Sequence, residues 1–262
     1  MLDERFTRAL HVEALRRGSL HAEHDPSVLF QASTIGALLD GAYDGDVSFA
    51  ELAEHGDLGL GTLNALDGEM IALEGRFYRA DIDGRASEID PAARTPFAVV
   101  VPFASGRTER IDSPIGQTEL KRVLDAGRPS GEGAAAIRID GSFRSLTARS
   151  VPRQAPPYRP LAEVVADQHV FELGAIDGTI LGFRFPDHSD GVEVDGYHLH
   201  FIAADRSRGG HVLDFECDCG EAAVDPATDL HVELPPGIDL EGHHLDQARA
   251  DALRRVEGGS PG

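Results

Sequence analysis

The alternation of apolar and polar positions divides this chain into many short segments. Gln31–Asp40 (QASTIGALLD) spaces its apolar residues helically behind a Ser33/Thr34 cap signal and stops at Gly41. Val47–His55 (VSFAELAEH) predicts a second short helix, with Ser48 as N-cap and Glu51 three residues on, the spacing of a capping box. From Gly56 the period changes. Gly59–Asn64, Glu69–Leu73 and Arg76–Ala80 predict strands, separated by the tight-turn pairs Asp67-Gly68 and Glu74-Gly75. Phe97–Phe103 (FAVVVPF) is apolar throughout, as suits a central strand, and Ile115–Leu124 returns to helical spacing. Ala134–Asp140 and Ser142–Ser150 alternate like two strands joined at Asp140-Gly141.

Val151–Pro160 (VPRQAPPYRP) holds four prolines in ten residues, which excludes a helix or a central strand and marks a linker. Beyond it the pattern predicts a short helix over Leu161–Ala166. Strands follow at Val170–Glu172, Gly178–Phe185, Tyr197–Ala203, His211–Cys219 and Asp229–Leu234, then a helix at Leu245–Val256. The first twenty residues are charged and helix-patterned. The expected fold class is therefore mixed α/β (α+β), with two sheet-containing domains of mixed β-sheets hinged near residues 150–160. The expected divisions are an N-terminal extension over 1–25, a mixed α/β domain over 26–152 and a C-terminal domain over 153–262.

Charge narrows the partners. Asp and Glu number 45 against 24 Lys and Arg, a net charge of −21, so nucleic acid and anionic membranes are not expected as partners. No apolar run is long enough to span a bilayer, and the charged N-terminus lacks the apolar core of a signal peptide, so the expected location is cytoplasmic. Lys121 is the only lysine and sits beside Arg122 in a polar helical stretch, which argues against Schiff-base chemistry. Cys217 and Cys219 form a C-x-C pair, too close for an unstrained disulfide and too few for a structural zinc site; they are read as strand residues.

The segment GYHLHFIAADRSRGGHV carries the chemistry. On a strand, His198 and His200 project from one face, and the turn DRSRGG returns the chain so that His211 opens the next antiparallel strand beside them. Three imidazoles with an open fourth position make a catalytic rather than a structural metal site, here on a C-terminal β-hairpin. Three imidazoles do not by themselves select zinc over other divalent ions. His188 is read as a loop residue near the mouth of the site, and the adjacent His243 and His244 as solvent-exposed.

Several runs in order, STIGALLDGAYDGDVSFAELAEHGDLGLGTLNALDGEM, FYRADIDG, TARSVPRQAPPYRPL and GTILGFRFPDHSDGVEVDGYHLHFIAADRSRGGHVLDF, resemble the acetolactate decarboxylase family from about Phe30 to Glu257. The resemblance implies a two-domain α/β fold and zinc-dependent conversion of 2-acetolactate to acetoin and carbon dioxide. It assigns zinc to His198, His200 and His211. It carries the family's catalytic residues onto Glu69, Arg149 and Glu257, and a substrate-binding threonine onto Thr62, so that the C-terminal domain becomes the zinc-binding one with an active-site tail. Glu69, Glu257 and Arg149 are each candidates for delivering the final proton. A homodimer is carried as an expectation from the same resemblance. The alternative is a cupin-like metal-dependent isomerase or oxygenase, in which Asp205 after the H-x-H pair is a fourth ligand; against it, Asp205 also reads as the cap of a hairpin turn.

Overall fold

The computed structural model describes residues 4–15, 24–127, 133–186, 189 and 191–235. Two large sheets carry it. The first has eight strands, in spatial order His11–Leu15, Asp229–Glu233, Val28–Ala32, Ala98–Val101, Leu58–Thr62, Glu69–Leu73, Arg76–Ala80 and Ala86–Glu88. Its first two pairings are parallel and the rest antiparallel, so the sheet is mixed. The second sheet is antiparallel and is built on four strands, Ala134–Ser150, Ile176–Phe185, Gly196–Ala203 and Gly209–Ala227. Each pairs with the next and the last pairs back to the first, which closes a ring. Short strands at Arg107–Ile111, Ile115–Gly116 and His169–Glu172 extend it. The architecture is thus mixed α+β, and the described residues are mostly in strands with few short helices.

The main core fills the space between the sheets. Leu60, Ile71 and Val99 of the first meet Leu181, Phe183 and Ile202 of the second in one buried cluster. Each such side chain contributes roughly 1.5–3 kcal/mol by leaving water. The outer face of the second sheet is covered by the helix Gln117–Ala126, whose Leu120 and Leu124, one turn apart, pack with Ile137 and Phe143. Phe49 and Leu52, from the helix Phe49–Leu52, cover the outer face of the first sheet beside Phe77 and Val100.

Local signals hold where they are complete. Ser48 Oγ accepts from the Glu51 amide while the Glu51 carboxylate accepts from the Ser48 amide, the expected capping box. Thr34 caps the helix Ile35–Leu39, accepting from the Ala37 amide at 3.2 Å, but Gln31 and Ala32 belong to the preceding strand.

Three expectations are corrected. Among its described residues the charged N-terminal stretch is helical over Glu4–Ala9, but His11–Leu15 is a strand, because it pairs in parallel with Asp229–Glu233 far along the chain. Asp140-Gly141 is no turn. Ala134–Ser150 runs straight through it, and Gly141 lies directly opposite Gly220, where a Cβ on Gly141 would sit 2.7 Å from the Cys219 carbonyl oxygen. Asp67-Gly68 closes not a two-residue hairpin but a loop that carries a short 3₁₀ turn at Asn64–Leu66.

The two cysteines lie on one strand, with Cys217 buried and Cys219 exposed. Cys217 faces Phe143 and Cys219 faces Ser142, so Asp218 is an extra residue, and this bulge turns the second thiol away from the first. Burial pushes the Cys217 thiol up to about 11. The predicted helix Leu245–Val256 and His188, His243, His244 and Glu257 lie outside the described residues. Among the described residues, no helix is long and apolar enough to cross a membrane.

Candidate active site

Strand register assembles the site. In the second sheet Arg149 lies directly opposite His211, and His211 directly opposite His200. Side chains at facing positions share a face, so these three form one row across three strands, with His198 two residues along on the same side. Just ahead of the row, Thr147 faces Asp214 and Ala148 faces Val212, leaving Leu213 as a bulge that sets this pairing. The hairpin between His200 and His211 turns at Asp205, whose carboxylate accepts from the Ser207 amide at 3.0 Å and the Ser207 hydroxyl at 2.6 Å. Those bonds hold the Asp205 carboxyl below its ordinary range. Exposed at the tip of the turn, Asp205 is a cap, as its sequence context indicates, and not a fourth ligand.

The first sheet supplies the opposing wall. Thr62 and Glu69 face each other across neighbouring strands. The Thr62 hydroxyl donates to the Gly68 carbonyl at 2.8 Å and so ties down the loop that precedes Glu69. Within that loop Ala65 and Leu66 adopt left-handed conformations (φ 61° and 53°), which for such residues cost about 1–2 kcal/mol each. The loop is held from outside by bonds from the Ala65 amide to the Tyr43 carbonyl and from the Gln154 amide to the Ala65 carbonyl, both 2.7 Å. At its end Gly68 (φ 95°) passes so close to the next strand that a Cβ would lie 2.3 Å from the Ala80 carbonyl oxygen.

Glu69, Arg149, Thr62 and the three histidines line one pocket between the sheets. Ile35, Leu38, Leu66, Phe97 and Leu161 form its apolar wall. Arg149 Nη1 donates to Glu69 Oε1 at 3.0 Å, and Glu69 Oε2 lies 3.6 Å from His200 Nε2. The imidazole centroids are 5.2–5.3 Å apart, and one nitrogen from each ring lies within 4.8 Å of the others.

This arrangement fits a bound metal ion on its own chemistry. His200 Nδ1 is held by the Met70 carbonyl at 2.8 Å, which fixes the proton on Nδ1 and leaves the Nε2 lone pair as the ligand atom. That Nε2 is buried and has no hydrogen-bond partner. Burial first, then the neighbouring His198 and Arg149, hold the His200 imidazole well below its ordinary pKa and hence neutral, the form a metal requires. Glu193 is a buried residue near the cluster that the pattern of the sequence did not single out: its Oε1 lies 3.6 Å from His198 Nδ1. The run VEV offered no more than strand-like alternation.

A two-sheet α+β scaffold enclosing a buried three-histidine cluster beside an arginine–glutamate pair defines the class: an enzyme-like pocket able to hold a metal ion. The family model for alpha-acetolactate decarboxylase matches residues 29–247. An alpha-acetolactate decarboxylase from Methylococcus capsulatus is 44% identical over 98% of this chain and 99% of its own length, and one from Klebsiella aerogenes is 42% identical over 90% and 91%. The crystal structure of alpha-acetolactate decarboxylase from Bacillus subtilis strain 168 superposes with a TM-score of 0.84, at 36% identity, over 89% of this chain and all of the other. The chain belongs to the alpha-acetolactate decarboxylase family, which are carboxy-lyases.

Proposed function

We propose that the protein decarboxylates 2-acetolactate to acetoin and carbon dioxide, using zinc held by His198, His200 and His211. The observation that carries this reading is the meeting, in one apolar-walled cavity, of the three imidazoles with the Arg149–Glu69 pair.

The substrate is a 2-hydroxy-3-keto acid. As the bond to its carboxylate breaks, the electron pair passes to the carbon left behind and on into the neighbouring ketone, leaving carbon dioxide and an enediolate. Zinc, when bound, would supply a Lewis acid for the negative charge that develops on oxygen, a term worth several kcal/mol. The remaining work falls to the chain. Arg149, permanently charged and carrying five donors, suits holding the substrate carboxylate or the developing oxyanion. Glu69, beside His200, suits moving the proton that must end on carbon, and Glu257 is proposed for the same task on the resemblance alone. Thr62 faces Glu69 and is proposed to border the bound substrate. The apolar wall of Ile35, Leu38, Leu66, Phe97 and Leu161 limits the water around the reacting carbon and favours proton delivery by the polar side chains of the pocket. The same reading proposes a cytoplasmic homodimer, acting in acetoin formation on the route to butanediol.

Acetoin formation from racemic acetolactate, measured before chelation, after it and after zinc is restored, tests the proposal. Production that disappears with the metal and returns with it supports the reading. No acetoin from a folded, zinc-loaded protein would overturn it.

A further inference from the structure

Glu193 lies beside His198, in the segment joining the strands Ile176–Phe185 and Gly196–Ala203. The residue is completely buried. Its backbone is fastened on several sides. The Gln31 side-chain amide donates to the Val192 carbonyl at 2.7 Å, and the Ile35 and Gly36 amides donate to the Val192 and Gly191 carbonyls at 3.1 and 2.9 Å. The Ser189 hydroxyl lies within hydrogen-bond distance of both the Glu193 carbonyl and the Asp195 carboxylate, and the Ser189 amide donates to Asp195 Oδ1 at 2.8 Å. A carboxylate taken fully out of water is expensive, and it persists where it faces a donor or a positive centre. Here the group it faces is His198 Nδ1, 3.6 Å from Oε1.

His200 provides the comparison. Its Nδ1 is backed by the Met70 carbonyl, which leaves Nε2 for the centre of the cluster. His198 is approached at the same ring atom, by a carboxylate in place of a carbonyl. We propose that Glu193 is a positioning residue for His198: its carboxylate faces Nδ1 at 3.6 Å, an ion-pair separation longer than a hydrogen bond, and so favours the tautomer with the proton on Nδ1, frees Nε2 as the ligand atom and places negative charge behind that one ligand. A carboxylate so placed raises the basicity of the imidazole, and loss of such a group typically costs 10–100-fold in metal affinity. The inference rests on the zinc reading and adds to it an outer residue of the site.

The test compares the full-length wild type with Glu193→Gln and Glu193→Met. Zinc affinity is measured by competition with a chromophoric chelator, the visible spectrum with cobalt(II) in place of zinc, and the thermal midpoint on the metal-free proteins. Glu193→Met should lose 10–100-fold in affinity and shift the cobalt bands. Glu193→Gln, whose amide oxygen still faces Nδ1 as a neutral dipole, should recover part of that loss and keep a smaller spectral shift. The Gln variant decides the matter alone should the Met variant fail to fold. Wild-type affinity and spectrum in a folded Gln variant, and in the Met variant if it folds, overturn the role of Glu193 and leave the zinc reading standing. A wild type that binds neither zinc nor cobalt overturns both.

Discussion

Arg149 and Glu69 stand eighty residues apart in the chain, on facing sheets, and meet at 3.0 Å with side chains only 5% and 8% exposed. A buried ion pair contributes little net stability, because desolvation consumes most of the attraction, but breaking one by removing a single partner strands a charge. Arg149→Met should therefore destabilise the protein by about 3–5 kcal/mol in denaturant unfolding. Glu69→Gln keeps the shape and a hydrogen-bond acceptor for Arg149, so the fold should survive while acetoin formation falls by about 10²–10⁴. Near wild-type turnover in that variant would remove Glu69 from proton transfer.

Thr62 makes a different kind of contribution. Its hydroxyl closes the loop before Glu69 by donating to Gly68, so Thr62→Val leaves that carbonyl without its donor in a buried setting. The expected cost is about 1–3 kcal/mol, visible as a lower thermal midpoint, with Thr62→Ser close to wild type. Equal midpoints for the Val and Ser variants would mean that the bond contributes nothing and that the loop is held by Tyr43 and Gln154 alone.

The residues explain why parts of this site were legible in the sequence and others were not. Glu69–Leu73 and Arg76–Ala80 match their predicted bounds because Glu74-Gly75 is a complete local signal: Glu74 (φ 56°) and Gly75 (φ 73°) both take the left-handed backbone that a tight hairpin turn demands. The H-x-H pair was equally local, since a strand's period of two dictates that its rings share a face. By contrast, His11–Leu15 is a strand only because Asp229–Glu233 lies beside it, and nothing within five residues encodes a parallel partner that distant. The bulges at Leu213 and Asp218, which line up Arg149 with His211 and part the two thiols, depend on how two long strands meet. Glu193 has no local mark for the same reason: what distinguishes it is the imidazole it faces, and that neighbour is a property of the folded chain.

Asp225 provides a pH test away from the cavity. Burial pushes its carboxyl above the ordinary 3.8, opposed by a hydrogen bond from the Ala104 amide at 2.8 Å. A carboxyl raised in the fold favours its neutral form there. As pH rises past 3.8 the unfolded chain releases its proton, while the folded chain must hold a partly buried anion, so stability is lost through that window and the loss persists to neutral pH. Asp225→Asn keeps an acceptor for Ala104 and removes the charge. It should raise the thermal midpoint at pH 7, by the 0.5–2 kcal/mol typical of single stabilising substitutions, and the gain should shrink as pH falls and vanish below 3.8. A gain unchanged by pH would show that the charge of Asp225 is not its source.

Removal of metal separates a catalytic site from a structural one. The three histidines are carried by strands whose pairing is already extensive: Gly209–Ala227 is laddered to Ala134–Ser150 over most of its length, and Gly196–Ala203 to Ile176–Phe185 over all of it. Those ladders, and the buried clusters on both faces of the second sheet, do not need an ion to form. Chelated protein should therefore keep its far-ultraviolet spectrum and a cooperative melt while losing acetoin formation. Restored zinc should raise the thermal midpoint by mass action, about 4 kcal/mol at a free concentration a thousand times the dissociation constant. His198→Ala should behave as the chelated protein does, folded and inactive, with the zinc-dependent rise reduced. If chelation or His198→Ala unfolded the chain, the ion would be a structural element, and the lost activity would report the collapse of the cavity instead of the absence of a Lewis acid.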